Sequence, residues 1–209
     1  MTSRTTRLLR GLYVITDEKL IPQNRFPETV EQALRGGARI IQYRDKSTDS
    51  HKRLLQASAL KVLCDKYQAT FIINDDVELA LRVNADGIHI GKQDETLAST
   101  RKKLGNKIIG VSCYNQFDLA VVAEKNGADY IAFGSFFASS TKPDAARADT
   151  TLLARAKQEL NIPVCAIGGI TIDNAASLVR AGADMVAVIT DVLESENIES
   201  RSNKLAALF

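Results

Sequence analysis

Eight short apolar runs, most of them rich in β-branched residues, recur along the chain. Most gaps between them are long enough for a helix, and this rhythm constrains the fold more than any other feature. The runs occupy residues 12–16 (LYVIT), 39–44 (RIIQYR), 70–74 (TFIIN), 87–90 (GIHI), 108–111 (IIGV), 130–134 (YIAFG), 164–167 (VCAI) and 185–189 (MVAVI). Most are continuously apolar, the pattern of parallel strands covered on both faces. Helices are predicted between them at 27–35, 50–67, 116–125, 149–160 and 173–181, with Asn115 and Thr171 as helix-start residues. Four returns to a strand share one device. Gly-Gly-Ala-Arg at 36–39, Asn-Ala-Asp-Gly at 84–87 and Gly-Ala-Asp at 127–129 and 182–184 each place a residue that tolerates the left-handed conformation at a helix end. Repeated βα units imply an α/β protein with a parallel sheet, and eight units fit a closed (β/α)8 TIM barrel better than an open doubly wound sheet.

No Pro/Gly/Ser-rich linker interrupts the series, so a single domain over 1–209 is expected, with a short N-terminal extension at 1–10. Shared among eight units, 209 residues leave about 26 each. That is below the roughly 250 of a typical barrel, with little room for a cap domain. The site must therefore be built from the strand ends themselves. Lys+Arg 27 against Asp+Glu 25 gives a net charge of +2, which excludes broad electrostatic attraction to nucleic acid or to an anionic membrane. Recognition of an anion must be local. The start of the chain lacks the features of a secretion signal and no run approaches the length of a membrane span, so the cytoplasm is the expected location. Cys64, Cys113 and Cys165 are odd in number and without metal-ligand spacing, and read as reduced packing residues.

In a barrel, reactive groups come from the C-terminal ends of the strands. The second run exits through Gln42-Tyr43-Arg44-Asp45-Lys46, the third through Asn74-Asp75-Asp76 and the fourth through Gly91-Lys92-Gln93-Asp94. The fifth exits through Ser112-Cys113-Tyr114, and the sixth through a long segment, 135–148, that contains Ser139, Ser140, Thr141 and Lys142. Arg44, Lys46 and Lys142 are suited to diphosphate oxygens, and Asp75 with Asp94 to Mg²⁺, which takes one or two carboxylates plus phosphate oxygens and water. Any one of these charges alone reads equally well as a solvated helix-start residue. Their coincidence on successive exits favours a shared metal–diphosphate site. Gly168-Gly169 after the seventh run, with Ile189-Thr190 after the eighth, reads either as a tight turn or as a monophosphate site where barrels commonly place one. His89 lies between Ile88 and Ile90, facing opposite to them, and fits either a hydrogen-bonded structural histidine or a site residue. His51 is expected to face solvent, and Phe133, Phe136 and Phe137 to pack around the sixth strand.

With these motifs in place, the segment from about residue 12 to about residue 193 resembles the thiamin-phosphate synthase family. The likeness rests on Gln42 to Lys46, the Asn74-Asp75-Asp76-Val77-Glu78-Leu79-Ala80 segment, Asp86 to Gly91 with Asp94, Gly110-Val111-Ser112, Ser139 to Lys142, and Ile167-Gly168-Gly169-Ile170-Thr171. The resemblance implies a TIM barrel. It also implies the joining of 4-amino-2-methyl-5-hydroxymethylpyrimidine diphosphate to 4-methyl-5-(2-hydroxyethyl)thiazole phosphate, with Mg²⁺ as cofactor. It implies that Gln42, Tyr43, Arg44, Asp45, Lys46, Asn74, Ser112 and Lys142 hold the pyrimidine diphosphate, Arg44, Lys46, Ser112 and Lys142 acting in catalysis. Asp75 and Asp94 are implied as metal ligands, and Ser139, Ser140, Thr141, Gly169, Ile189 and Thr190 as holders of the thiazole phosphate. Two positions depart from the family pattern: Cys113-Tyr114 where many members have a His, and Gly134-Ser135 where many have Gly-Pro. The related thiazole tautomerases need an acid or base near the first of these and no full diphosphate cradle. The cradle is present here and the His is not, so synthase is the preferred reading. A non-catalytic phosphate-metabolite-binding barrel would keep the anion sites and lose the metal pair. The segment 135–148, combining small residues with Lys142 and Arg147, is the expected cover over the substrates. Association into a homo-oligomer is compatible with a barrel of this size, and no segment of the chain marks its surface.

Overall fold

The computed structural model describes residues 9–138 and 146–209, and its eight strands pair in parallel, each with its sequence neighbours, closing β8 onto β1. The strands are β1 Gly11–Ile15, β2 Ile40–Tyr43, β3 Thr70–Asn74, β4 Gly87–Ile90, β5 Ile108–Tyr114, β6 Tyr130–Phe133, β7 Val164–Ile167 and β8 Met185–Val188. The helices are α1 Phe26–Arg35, α2 Ser50–Tyr67, α3 Val77–Arg82, α4 Leu97–Leu104, α5 Phe117–Lys125, α6 Thr150–Glu159, α7 Ile172–Arg180, α8 Thr190–Leu193 and α9 Ile198–Ala206. This is a (β/α)8 barrel. Strands β3, β4 and β7 coincide with the predicted runs. β5 runs three residues longer because its pairing with β6 shifts between Ser112 and Tyr114, where Cys113 is accommodated as a bulge.

Helices α3, α4, α8 and α9 were not predicted. The two short helices α3 and α4 begin at Asp76 and Thr96, whose side chains accept hydrogen bonds from Leu79 N and Ser99 N. Asp76, which reads as strand-exit chemistry, thus also caps the next helix. Asn115 is not a helix cap: α5 starts after Gln116 without a side-chain cap, and the Asn115 amide donates to Arg147 O instead.

The repeated helix-to-strand device has a physical basis at all four places. Gly37, Asn84, Gly127 and Gly182 have φ between +50° and +113°, and the next residues, Ala38, Ala85, Ala128 and Ala183, donate N–H bonds of 2.9–3.1 Å back into the helix they leave. Gln68 after α2 does the same at φ +54°, a position no glycine marks. The following Asp86, Asp129 and Asp184 accept from the backbone of the preceding strands, at Phe71, Ile109 and Val164. That ties each strand start to its neighbour at the bottom of the barrel.

Strand alternation divides the core in two. Leu12, Val14, Ile41, Tyr43, Phe71, Ile73, Ile131, Phe133 and Val186 face outward, into the layer beneath the helices. Tyr13, Ile15, Ile40, Ile72, Ile108, Tyr130, Ala132, Cys165, Met185 and Ala187 fill the barrel interior, with Leu9 packed against them. The three cysteines are free and buried, and His51 is exposed. Among the described residues no helix is long and apolar enough to cross a membrane.

Candidate active site

Above the apolar filling of the barrel, the next inward positions are polar. Gln42, Asn74, His89 and Ser112, from β2, β3, β4 and β5, line a cavity of about 900 Å³ that opens at the C-terminal ends of the strands. Its volume lies in the range that holds drug-sized ligands. Its far wall is formed by the β6, β7 and β8 exits, including Gly134, Ser135, Gly168, Gly169, Ile189 and Thr190.

A chain of hydrogen bonds crosses the cavity floor. The Gln42 amide donates to Tyr13 Oη at 2.6 Å, Tyr13 and Tyr130 share a bond of 2.9 Å, and Tyr130 Oη meets His89 Nδ1 at 2.9 Å. His89 Nε2 then meets Ser112 Oγ at 2.8 Å. His89 is therefore an inward-facing residue with both ring nitrogens engaged. Burial holds both phenol groups above the ordinary tyrosine range, so they remain protonated at neutral pH. Gly110 explains how the Tyr130 ring fits: a Cβ there would lie 2.0 Å from its Cζ.

The β2 exit carries the cations and the β3 exit faces them with carboxylates. Arg44 lines the cavity and is braced twice, by Thr16 Oγ1, which accepts from its backbone N–H at 2.9 Å, and by Asp17, whose carboxylate lies 3.5 Å from its guanidinium. Lys46 pairs with Asp75, which also accepts from the Asn74 amide at 2.7 Å. Asp75 stands in the left-handed region at φ +53°, which Asp tolerates better than most residues other than Gly, and this directs the β3 exit. Asp94 accepts from Gly91 N at 2.7 Å, and Tyr114 Oη, also at φ +54°, accepts from Lys92 N at 3.1 Å beside it. Lys46, Asp75 and Asp94 sit outside the residues lining the cavity. Among the described residues no group of three or more His, Cys, Asp and Glu side chains converges. The oxygen-only pair of Asp75 and Asp94 suits a hard cation that draws its remaining ligands from substrate and water.

At the β7 and β8 exits, Gly168 and Gly169 both have positive φ, and a Cβ on either would lie about 2 Å from Ser135 Oγ or Ala138 O. The two glycines are thus needed for close approach of the β6 exit as well as for the turn itself. Asn174 Nδ2 donates to Gly169 O at 3.0 Å while its carbonyl accepts from Thr171 N at 2.9 Å, fixing the turn that starts α7. Asp191 ties the two exits together. It accepts from Ile172 N at 3.2 Å and from the Arg201 guanidinium at 2.6 Å.

The structure therefore brings Gln42, Arg44, Asn74, Ser112, Gly169, Ile189 and Thr190 around one cavity. It does not bring Tyr43 or Asp45 there. Tyr43 points outward onto Phe26 and Gln56, and Asp45 is buried against Lys52 and Ser47, because odd positions of this segment face the helices. Ser139, Ser140, Thr141 and Lys142, and with them the middle of the expected cover, lie outside the described residues. The two ends of that segment are anchored, Ser135 N donating to Ala146 O and Ala148 N to Ser135 O. Sequence reasoning missed Thr16, the last residue of the first run, and Asp17 after it, which leave β1 as the other exits leave their strands. It also missed Tyr13 and Tyr130, which read as strand core, and Arg201, which lines the cavity from α9.

Comparison with known proteins agrees with this architecture. A profile of the family described as thiamine monophosphate synthase matches residues 12–192. The chain is 49% identical to a thiamine-phosphate synthase from Thioalkalivibrio sulfidiphilus over 99% of each chain, and 48% identical to one from Nitrosococcus oceani over 92% of this chain and 89% of the relative. A solved thiamine phosphate pyrophosphorylase from Pyrococcus furiosus superposes with a TM-score of 0.89 at 36% identity, covering 97% of this chain and 96% of its own. By profile and by near-half identity across its whole length, the chain belongs to the thiamine monophosphate synthase family and is accordingly a transferase.

Proposed function

We propose that the chain condenses 4-amino-2-methyl-5-hydroxymethylpyrimidine diphosphate with 4-methyl-5-(2-hydroxyethyl)thiazole phosphate, releasing diphosphate and thiamin phosphate. The observation that carries the reading is a single cavity with a cationic, hydrogen-bonding wall at the β2, β3 and β5 exits and a glycine-built wall at the β7 and β8 exits. One wall suits a diphosphate and the other a monophosphate, and the polar floor between them suits a heteroaromatic ring.

In this reading the carbon–oxygen bond to diphosphate breaks first, and the thiazole nitrogen captures the pyrimidine methylene cation. The residues present are suited to that order, because no step requires a strong base or a protein nucleophile. Arg44, held by Thr16 and Asp17, binds the diphosphate oxygens with little reorganisation, Lys46 adds positive charge from the β2 exit, and Lys142, which the family resemblance assigns to the same group, contributes a further cation. Gln42, Asn74 and Ser112 orient the pyrimidine end. Gly169, Ile189 and Thr190 hold the thiazole phosphate so that the acceptor nitrogen is in line. Asp75 and Asp94 would hold Mg²⁺, which when bound supplies charge neutralisation for the departing diphosphate.

The test is to incubate the purified chain with both phosphorylated precursors and Mg²⁺, with and without chelator, and to separate thiamin phosphate chromatographically. Product that disappears on chelation is the expected result. Folded protein that forms none refutes the proposal.

A further inference from the structure

The hydrogen-bond chain under the cavity has only one proton per hydroxyl to distribute, so the orientation of one end sets every link. Tyr13 Oη accepts from the Gln42 amide, and its other partner among the described residues is Tyr130, so its own proton goes to Tyr130 Oη. Tyr130 then donates to His89 Nδ1, which must be unprotonated. The imidazole proton is left on Nε2, where it is donated to Ser112 Oγ at 2.8 Å. Ser112 has no other hydrogen-bond partner among the described residues, so its hydroxyl proton is available to the cavity that it lines. With the Gln42 amide turned over, every arrow reverses. His89 then carries its proton on Nδ1 and Ser112 spends its proton on the ring.

We propose that Tyr130, which is fully buried below the substrate cavity, is a positioning residue: it fixes His89 as the Nε2–H tautomer and thereby keeps the Ser112 hydroxyl as a hydrogen-bond donor to the bound substrate. Three features support a specific role over mere filling. The ring is accommodated by Gly110, whose hydrogen leaves room that no other side chain would leave. The Tyr130 hydroxyl bridges two partners from β1 and β4, and both lie on the line between Gln42 and Ser112, the two ends that face the cavity. Every link is 2.9 Å or shorter, so the protons run along the chain in one of two opposite directions, and the Gln42 amide, which donates to Tyr13, selects the one that ends on Ser112. The role of Ser112 toward substrate rests on the function proposed above, whereas the tautomer of His89 does not.

The experiment has two arms. In the first, nitrogen-15 NMR of the imidazole rings is recorded on the substrate-free full-length protein at neutral pH. The chain has only His51 and His89, and a His51→Gln variant assigns the signals. The expected result is a neutral His89 ring protonated at Nε2. Protonation at Nδ1, or at both nitrogens, overturns the proposal whether or not the protein makes thiamin phosphate. In the second arm, kcat/KM for the pyrimidine diphosphate is measured for Tyr130→Phe, Ser112→Ala and the double variant. The expected result is a loss of about tenfold for Tyr130→Phe in the parent chain and less than about twofold in the Ser112→Ala background, since the two residues act through one donor. Equal losses in both backgrounds would show that Tyr130 acts by another route and overturn the positioning role. Absence of turnover in the parent chain would count against the proposed function, leaving the first arm to decide this inference.

Discussion

Replacing Gly110 with Ala tests the interior packing on which the cavity floor depends. A Cβ at this position would lie 2.0 Å from Tyr130 Cζ, 2.2 Å from Cε1 and 2.4 Å from Oη. Carbon atoms in contact need about 3.5 Å, so the ring must retreat by more than 1 Å. It has no free direction. Tyr13 Oη holds its hydroxyl at 2.9 Å, the His89 ring lies against it with centroids 5.5 Å apart and planes tilted by 32°, and the residue is fully buried. Overpacking of this kind costs about 1–3 kcal/mol, and losing the two hydrogen bonds of the Tyr130 hydroxyl adds about 1 kcal/mol each. The expected loss is therefore about 3–5 kcal/mol, or about 10 °C in Tm for a chain of this length. The chain contains no Trp, so urea unfolding is best followed by far-UV circular dichroism. The informative comparison is a cycle with Tyr130→Leu, which removes the colliding atoms at its own cost. In that background Gly110→Ala should cost less than about 1 kcal/mol. A penalty for Gly110→Ala that is small in the parent, or unchanged in the Tyr130→Leu background, would refute the placement of this ring against β5.

Three further outcomes follow from other parts of the molecule. Burial pushes the Cys64 and Cys113 thiols up to about 12 and Cys165 higher still, so a thiol-reactive dye at pH 8 should label none of them in the native protein and all three in denaturant. A fast-reacting native thiol would contradict the packing. Arg201→Ala removes the partner of Asp191 and leaves a carboxylate beside the β7 and β8 exits, so KM for the thiazole phosphate should rise about tenfold with kcat within about twofold; an unchanged KM would remove α9 from the site. Burial raises Asp45, but the Lys52 ammonium and the Ser47 donors outweigh it and hold the carboxyl below its usual range. The pair is thus stabilising above about pH 4 and loses that contribution as pH falls through the depressed folded value. Lys52→Met should cost about 2 kcal/mol at pH 7 by urea titration, with the gap to the parent narrowing toward pH 3, and a pH-independent gap would argue against the ion pair.

Much of the barrel was legible because its determinants are local. The apolar runs, the left-handed helix ends at Gly37, Asn84, Gly127 and Gly182, and the strand-exit clusters depend on neighbours within a few residues. The short helices α3 and α4 were not, since six to eight residues carry too little periodicity to separate them from loops. Side-chain direction was the weaker point at the β2 exit. Reading Gln42 to Lys46 as one block ignored the alternation that turns Tyr43 and Asp45 toward the helices while Gln42 and Arg44 line the cavity.

The sequence by itself determined the order of βα units, and the identity of the residues that leave each strand, because chain connectivity and strand period are written locally. Only the tertiary structure decided which of those residues meet. Tyr13 and Tyr130 are 117 positions apart and read as ordinary strand core until closure of the barrel places their hydroxyls 2.9 Å from each other and links Gln42 to Ser112 across the floor. Packing of neighbouring units also brings Asp191 to the start of α7 and Arg201 to Asp191. Such contacts depend on shear, on the bulge in β5 and on the space that Gly110 leaves, which are properties of the closed sheet and of no single segment.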